Sequence, residues 1–198
     1  IEETINYLNA NRGTKYGLVK VRLYRPFYAD KFLAALPKTV KRIAVLDRTK
    51  EPGAIGEPLY MDVKVAINDP SIHVIGGRYG LSSKDFTPSM ILAVYKHLEN
   101  DGFHGFTVGI DDDVTKTSLK IEEHITTEPA GTTACMFYGL GGDGTVGANK
   151  TTIKVIGHLT NKDAQAYFAY DSKKSFGLTC SHLRFSDSPI KSTYLITS

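Results

Sequence analysis

Tryptophan is absent from the 198 residues, and cysteine occurs twice, as Cys135 and Cys180. Thiols 45 positions apart form neither a CxxC pair nor an iron–sulfur ligand run, and two are too few for a disulfide scaffold. They read as small buried apolar side chains in a reducing compartment, with the cytoplasm as the default. No apolar run approaches the ~20 residues that span a bilayer, so no membrane partner is expected. The six histidines show neither i, i+4 pairing nor HExxH, which removes the zinc-site signatures. No G-x-S-x-G elbow and no Walker loop occurs, so no catalytic residue is nominated. A basic-then-apolar leader is also missing, and the chain opens with Ile1 rather than Met, as an excised internal piece would.

The net charge is small but unevenly placed. Lysine and arginine number 24 against 21 acids, a net charge of +3. Residues 1–133 balance at 17 of each sign, whereas residues 134–198 hold seven bases and four acids. That short segment is too weakly basic for a nucleic-acid surface and suits a compact anion instead.

Hydrophobic periodicity predicts an α/β chain. Helices are expected over 2–12, 29–38, 59–67 and 87–100, the last with Thr87 as N-cap and Pro88 in its first turn. Strands are expected over 16–24, 41–47, 72–77 and 104–110. Strands alternating with helices imply right-handed crossovers and a mostly parallel open sheet with helices on both faces. The polar, acidic stretch at 111–133 breaks that rhythm, and a domain boundary is expected near 126–132. A second series follows: strand 133–139, a Gly-rich loop, helix 146–160, strand 164–172, a turn at 173–177, strand 178–186 and a strand-like run at 191–197. A module of ~65 residues buries its surface poorly, so this second part reads as truncated.

The loop is "GLGGDGTVGANK", residues 139–150, with five glycines. Gly139, Gly141 and Gly144 satisfy G-x-G-x-x-G, as do Gly142, Gly144 and Gly147. Glycine there lets the backbone turn sharply from strand to helix and lets N–H groups approach a phosphate at the helix's positive end. The next strand leads to Lys173 and Lys174, which a β–α–β arrangement would bring beside the loop as two point charges. Asp143 would repel an anion, and capping the following helix is its expected role. Three readings stand on these residues: a solvated turn with incidental lysines, a dinucleotide site, and a site for a phosphorylated carrier such as coenzyme A.

Elsewhere, Asp47, Arg48, Lys50, Glu51 and Glu57 cluster after a strand, at the edge where open α/β sheets bind ligands. Arg78, Ser82, Ser83 and Lys84 follow another strand end. Structural or solvated roles are expected for both groups. The acids Asp111–Asp113 lack the spacing of a calcium loop and read as a solvated turn.

Taken in order, "VKVRLYRPF" (19–27), "RIAVLDRTKEPGAIGEPLY" (42–60), "GGRYGLSSKDFTP" (76–88), "FTVGIDDDVTKTSL" (106–119), the Gly loop, "YDSKKS" (170–175) and "SHLRF…STYLI" (181–196) span nearly the whole chain. Together they resemble the single-chain pyruvate:ferredoxin (flavodoxin) oxidoreductases. The resemblance implies residues 1–128 as a transketolase C-terminal-like α/β scaffold domain. It implies 133–198 as a partial gamma-like domain, truncated at its C-terminus and concerned with coenzyme A.

By the same resemblance the parent enzyme decarboxylates pyruvate on thiamine diphosphate and magnesium. It passes electrons through [4Fe-4S] clusters to ferredoxin or flavodoxin, and it releases acetyl-coenzyme A. Gly141, Gly142, Gly144 and Thr145, with Lys173 and Lys174, would face the coenzyme's phosphates. The family's thiamine-diphosphate segment and its cysteine runs are missing here, so the piece alone is expected to be inactive. Lys191 stands where an arginine is expected, a point charge in place of a bidentate fork. The partners implied are the remaining domains of the parent chain, ferredoxin or flavodoxin, and a second copy in a homodimer. The compartment is the cytoplasm or an anaerobic eukaryote's organelle. An NADP-binding module and a purely structural interdomain scaffold are the alternatives.

Overall fold

Three short apolar runs carry the first sheet. In the computed structural model, which describes residues 1–111, 113–171 and 177–197, β1 (Arg42–Asp47), β2 (His73–Arg78) and β3 (Phe106–Thr107) pair in parallel in the order β1-β2-β3. Successive side chains on a strand point to opposite faces, so a run buried on both sides must be apolar throughout. Val74 and Ile75 divide accordingly. Val74 joins Val45, Val63 and Ile67 on the face covered by α3 (Pro58–Ala66), with Phe32 of α2 (Ala29–Ala35) at its margin. Ile75 joins Phe106, Val108, Val94 and Leu98 on the face covered by α4 (Pro88–Glu99). Thr87 caps α4 as expected, its hydroxyl accepting from the Met90 N–H at 3.4 Å. The first helix, α1 (Glu2–Arg12), buries Ile5 and Leu8 and ends in a left-handed Gly13.

The strand expected over 16–24 does not form. Its alternation is real, but Leu18, Val19, Leu23 and Tyr24 stay exposed and no described strand pairs with it. The Tyr95 hydroxyl holds the Gly17 carbonyl, and Arg25 pairs with Asp62, so contacts near its ends fix an extended chain without a ladder. Alternation reports only that side chains leave on two sides; a strand also needs a neighbouring edge.

Contacts divide the chain into two compact units, Ile1–Thr126 and Thr127–Ser198. In the second, β4 (Thr133–Leu140), α5 (Thr145–Leu159), β5 (Asp163–Tyr170) and β6 (Leu178–Ser186) follow one another. The sheet order is β4-β6-β5, and both pairings with β6 are antiparallel. The strand β6 therefore lies between the two that α5 connects, and β4 and β5 do not touch as a simple β–α–β unit would have them. The whole is a mixed α/β chain: a parallel sheet between helices, then a small second sheet. The run at 191–197 is not a strand. It crosses one face of the second sheet and bonds to side chains: Gln165 donates to the Ser192 carbonyl (2.6 Å), Arg184 to the Tyr194 carbonyl (2.9 Å), and the Ile196 N–H to His182 Nδ1 (3.2 Å).

Candidate functional site

The Gly-rich loop joins the end of β4 to the start of α5, the context that a phosphate-binding turn requires. Gly142 and Gly144 have φ of 92° and 87°, a left-handed conformation that a side chain would resist. Gly139 is needed for a different reason. A methyl group there would come within 2.6 Å of Thr145, because the first turn of α5 sits directly on the strand. The backbone donors then separate into two sets. The Gly141 N–H is taken by the Gly177 carbonyl at 2.9 Å, and the Thr145 N–H by Asp143 at 2.9 Å. The N–H groups of Gly142 and Gly144 find no partner among the described residues. The first turn of an α-helix adds further N–H groups without intrahelical acceptors. Of the four loop residues named from the sequence, Gly142 and Gly144 keep donors without a partner among the described residues, while the Gly141 and Thr145 N–H groups are used within the fold.

Asp143 is a latch. One carboxylate oxygen accepts from the Thr145 N–H and the other from the Leu140 N–H at 2.8 Å, tying strand end to helix start. These bonds, Thr145 first and Leu140 next, hold its pKa below the usual carboxylate range. The stabilisation from a depressed pKa is complete above the unfolded-state value and is lost as pH falls through the folded one. An NMR titration should therefore show the Asp143 carboxyl titrating below ordinary aspartates, with the Leu140 and Thr145 amides shifting at the same midpoint. A midpoint in the ordinary aspartate range would disprove the latch. Within this "GDG" both carboxylate oxygens of Asp143 are thus engaged by main-chain donors. Among the described residues no three His, Cys, Asp or Glu side chains gather to hold a cation.

Lys173 and Lys174 lie outside the described residues. The residues flanking them are placed, however. Gly177 bonds to Gly141, and the Asp171 N–H donates to the Leu178 carbonyl at 3.0 Å. Asp171 and Gly177 thus stand at the end of the sheet where the Gly loop is. Asp112 also lies outside the described residues, while Asp111 pairs with Lys84 at 2.6 Å and Asp113 accepts from the Ser118 N–H at 2.5 Å.

The strand-end clusters of the first unit are occupied by the fold. Asp47 is buried and accepts from the Leu59 and Tyr60 N–H groups at 2.9 and 3.1 Å, holding the start of α3 against β1. Burial raises its pKa, against the opposing effect of those two bonds. Glu57 is buried against Arg78, which also donates to the Gly105 carbonyl, and the Glu51 N–H donates to Glu57 at 2.6 Å. Arg48 is exposed and reaches the Gly80 carbonyl at 3.2 Å. Ser82 and Ser83 take left-handed φ of 55° and 57° in a short 3-10 turn. Both cysteines are free and only half-buried, Cys135 on β4 and Cys180 on β6.

Sequence reasoning gave no role to Arg184, which is 1% exposed. Its Nε donates to Glu128 at 2.6 Å, its Nη1 to Gln165 at 3.2 Å and to the Tyr194 carbonyl, and its guanidinium lies 4.9 Å from the Tyr194 ring centroid. The available signal was an arginine inside a strand that holds no lysine and no acid, "LTCSHLRFS".

Two family models match. The one described as pyruvate ferredoxin/flavodoxin oxidoreductase covers residues 134–198, and pyruvate:ferredoxin oxidoreductase core domain II covers residues 2–91. A pyruvate:ferredoxin oxidoreductase of Moorella thermoacetica is 61% identical over 199 residues, 99% of this chain and 17% of the relative. Pyruvate-flavodoxin oxidoreductases of Enterobacter agglomerans and a Nostoc species are 57% and 54% identical over 200 and 212 residues, 99% of this chain in each case. The chain spans 17% and 18% of their respective lengths. Among the described residues no helix is long and apolar enough to cross a membrane.

Proposed function

The chain belongs to the pyruvate:ferredoxin/flavodoxin oxidoreductase family, and from that membership we propose that it is part of an enzyme converting pyruvate and coenzyme A to acetyl-coenzyme A and carbon dioxide. Two electrons leave to ferredoxin or flavodoxin. The observation that carries this reading is 61% identity across 99% of the chain. Residues 1–128 act as the transketolase C-terminal-like scaffold and 133–198 as part of a gamma-like domain. Thiamine diphosphate, magnesium and the iron–sulfur clusters belong to other parts of the longer protein. Its free thiols suit a reducing compartment, the cytoplasm or an anaerobe's organelle.

Within that enzyme the Gly loop holds phosphates of coenzyme A. Gly142 and Gly144 offer main-chain donors at the positive end of α5, and Lys173 and Lys174 supply the compensating charge from the adjoining connection. Gly141 and Thr145 keep the loop in shape. The local excess of bases over acids in residues 134–198 supports an anion there. Calorimetric titration of coenzyme A onto the full-length enzyme tests it. Lys173→Ala with Lys174→Ala should weaken binding by about tenfold or more per lost charge-assisted contact. Unchanged affinity would leave the loop a packing element and remove the phosphate role.

A further inference from the structure

The second unit buries few apolar side chains. Among the described residues Leu183 and Phe185 are its only large hydrophobics in the core, whereas Tyr138, Leu140, Tyr167 and Leu178 remain half or more exposed. Register places these four on one face of the sheet. Tyr138 is opposite Cys180, Leu140 opposite Leu178, and Tyr167 opposite His182. The other half of that face, around Arg184 and His182, is covered by Ser192–Ile196. From Ser192 to Tyr194 the segment crosses from Gln165 on β5 to its opposite neighbour Arg184 on β6, and from Tyr194 to Ile196 it advances two residues along β6, to His182, toward the uncovered half.

The strand β4 is also an edge. Its Gly141-side register sets the phase: the Gly141 N–H bonds to Gly177, so residues 139, 137, 135 and 133 face β6. The main-chain groups of Ala134, Met136 and Tyr138 then point to the free side. Natural edges are protected by charge, proline or a bulge, yet "TACMFYGL" has neither charge nor proline and pairs with β6 without a break. We propose that the free edge of β4, with the apolar strip beside it, is the docking surface for a further β-strand supplied by the same polypeptide in the longer protein. Two observations favour that occupant over a second copy. The relatives carry more than four fifths of their length outside the matched segment, and Ser192–Ile196 already extends own-chain cover toward this strip. The proposal rests on family membership and is independent of the coenzyme A reading.

The test uses full-length protein. Residue-resolved hydrogen exchange should show the Ala134, Met136 and Tyr138 amides exchanging at least about 100-fold slower than unpaired amides. A photoactivatable benzophenone side chain in place of Tyr138 should cross-link within the same polypeptide to a peptide outside residues 1–198. Fast exchange at the three amides overturns the proposal. So does a cross-link to a second copy, a cross-link within residues 1–198, or protection that grows with protein concentration. The exchange measurement on unaltered protein decides the matter should the labelled variant fail to fold. Coenzyme A affinity is not part of either readout, so the two readings fail separately.

Discussion

Arg184→Met should destabilise the second unit by about 3–5 kcal/mol, because removing one member of a buried ion pair leaves the other charge without its partner. Glu128, a fifth exposed, would lose the guanidinium that faces it, and Gln165 and the Tyr194 carbonyl would lose a donor. The magnitude comes from the orphaned carboxylate, not from the attraction itself. Hence the double variant Arg184→Met, Glu128→Met should recover most of the loss, since a buried pair replaced by packed apolar groups is commonly neutral. Urea unfolding followed by far-ultraviolet circular dichroism measures both. If the single variant costs under about 1 kcal/mol, the range of exposed pairs, the buried-pair reading fails.

Phe106→Ala should cost about 3–5 kcal/mol in the first unit, the range for deleting a fully buried aromatic ring. Phe106 is 0% exposed and packs with Ile75, Val94, Leu98 and Val108. The far end of its ring presses on Gly77: a methyl group there would come within 2.1 Å of it. Gly77→Ala alone should therefore also destabilise, by about 1–3 kcal/mol of overpacking. In the Phe106→Ala background the same change should cost nearly nothing, because the space is then open. Additive costs in the double variant would show that the clash is not the cause.

The contrast between Gly77 and the Gly loop explains what could be read in advance. At Gly142 and Gly144 the requirement is local, a left-handed turn between strand and helix, and it shows as a motif. At Gly77 the requirement comes from a ring 29 positions away, and no local pattern announces it. Helices and buried strands were legible for the same reason, since their periodicity is a property of neighbours in sequence. The stretch 16–24 misled because alternation does not reveal whether a partner edge exists. The placement of β6 between β4 and β5 was hidden because pairing order is a long-range choice. Asp143 was legible as a helix-end residue. Its second bond, to Leu140, was not, because it closes a loop whose geometry only the fold sets. The roles of Asp47 and Glu57 were obscured by charge itself: acids at a strand end suggest a ligand, yet both are consumed by main-chain donors and Arg78.

The polar interior of the second unit has a calorimetric consequence. Unfolding raises heat capacity in proportion to the apolar surface exposed, and polar surface lowers it. Thr127, Thr179, Ser181, Ser186, Ser192, Asn149, His182 and Arg184 make up most of what this unit hides. Its heat-capacity increment is accordingly small for its length, and its stability varies gently with temperature. The curvature of the chain's stability curve belongs to the first unit, where Ile75, Val94 and Phe106 are packed.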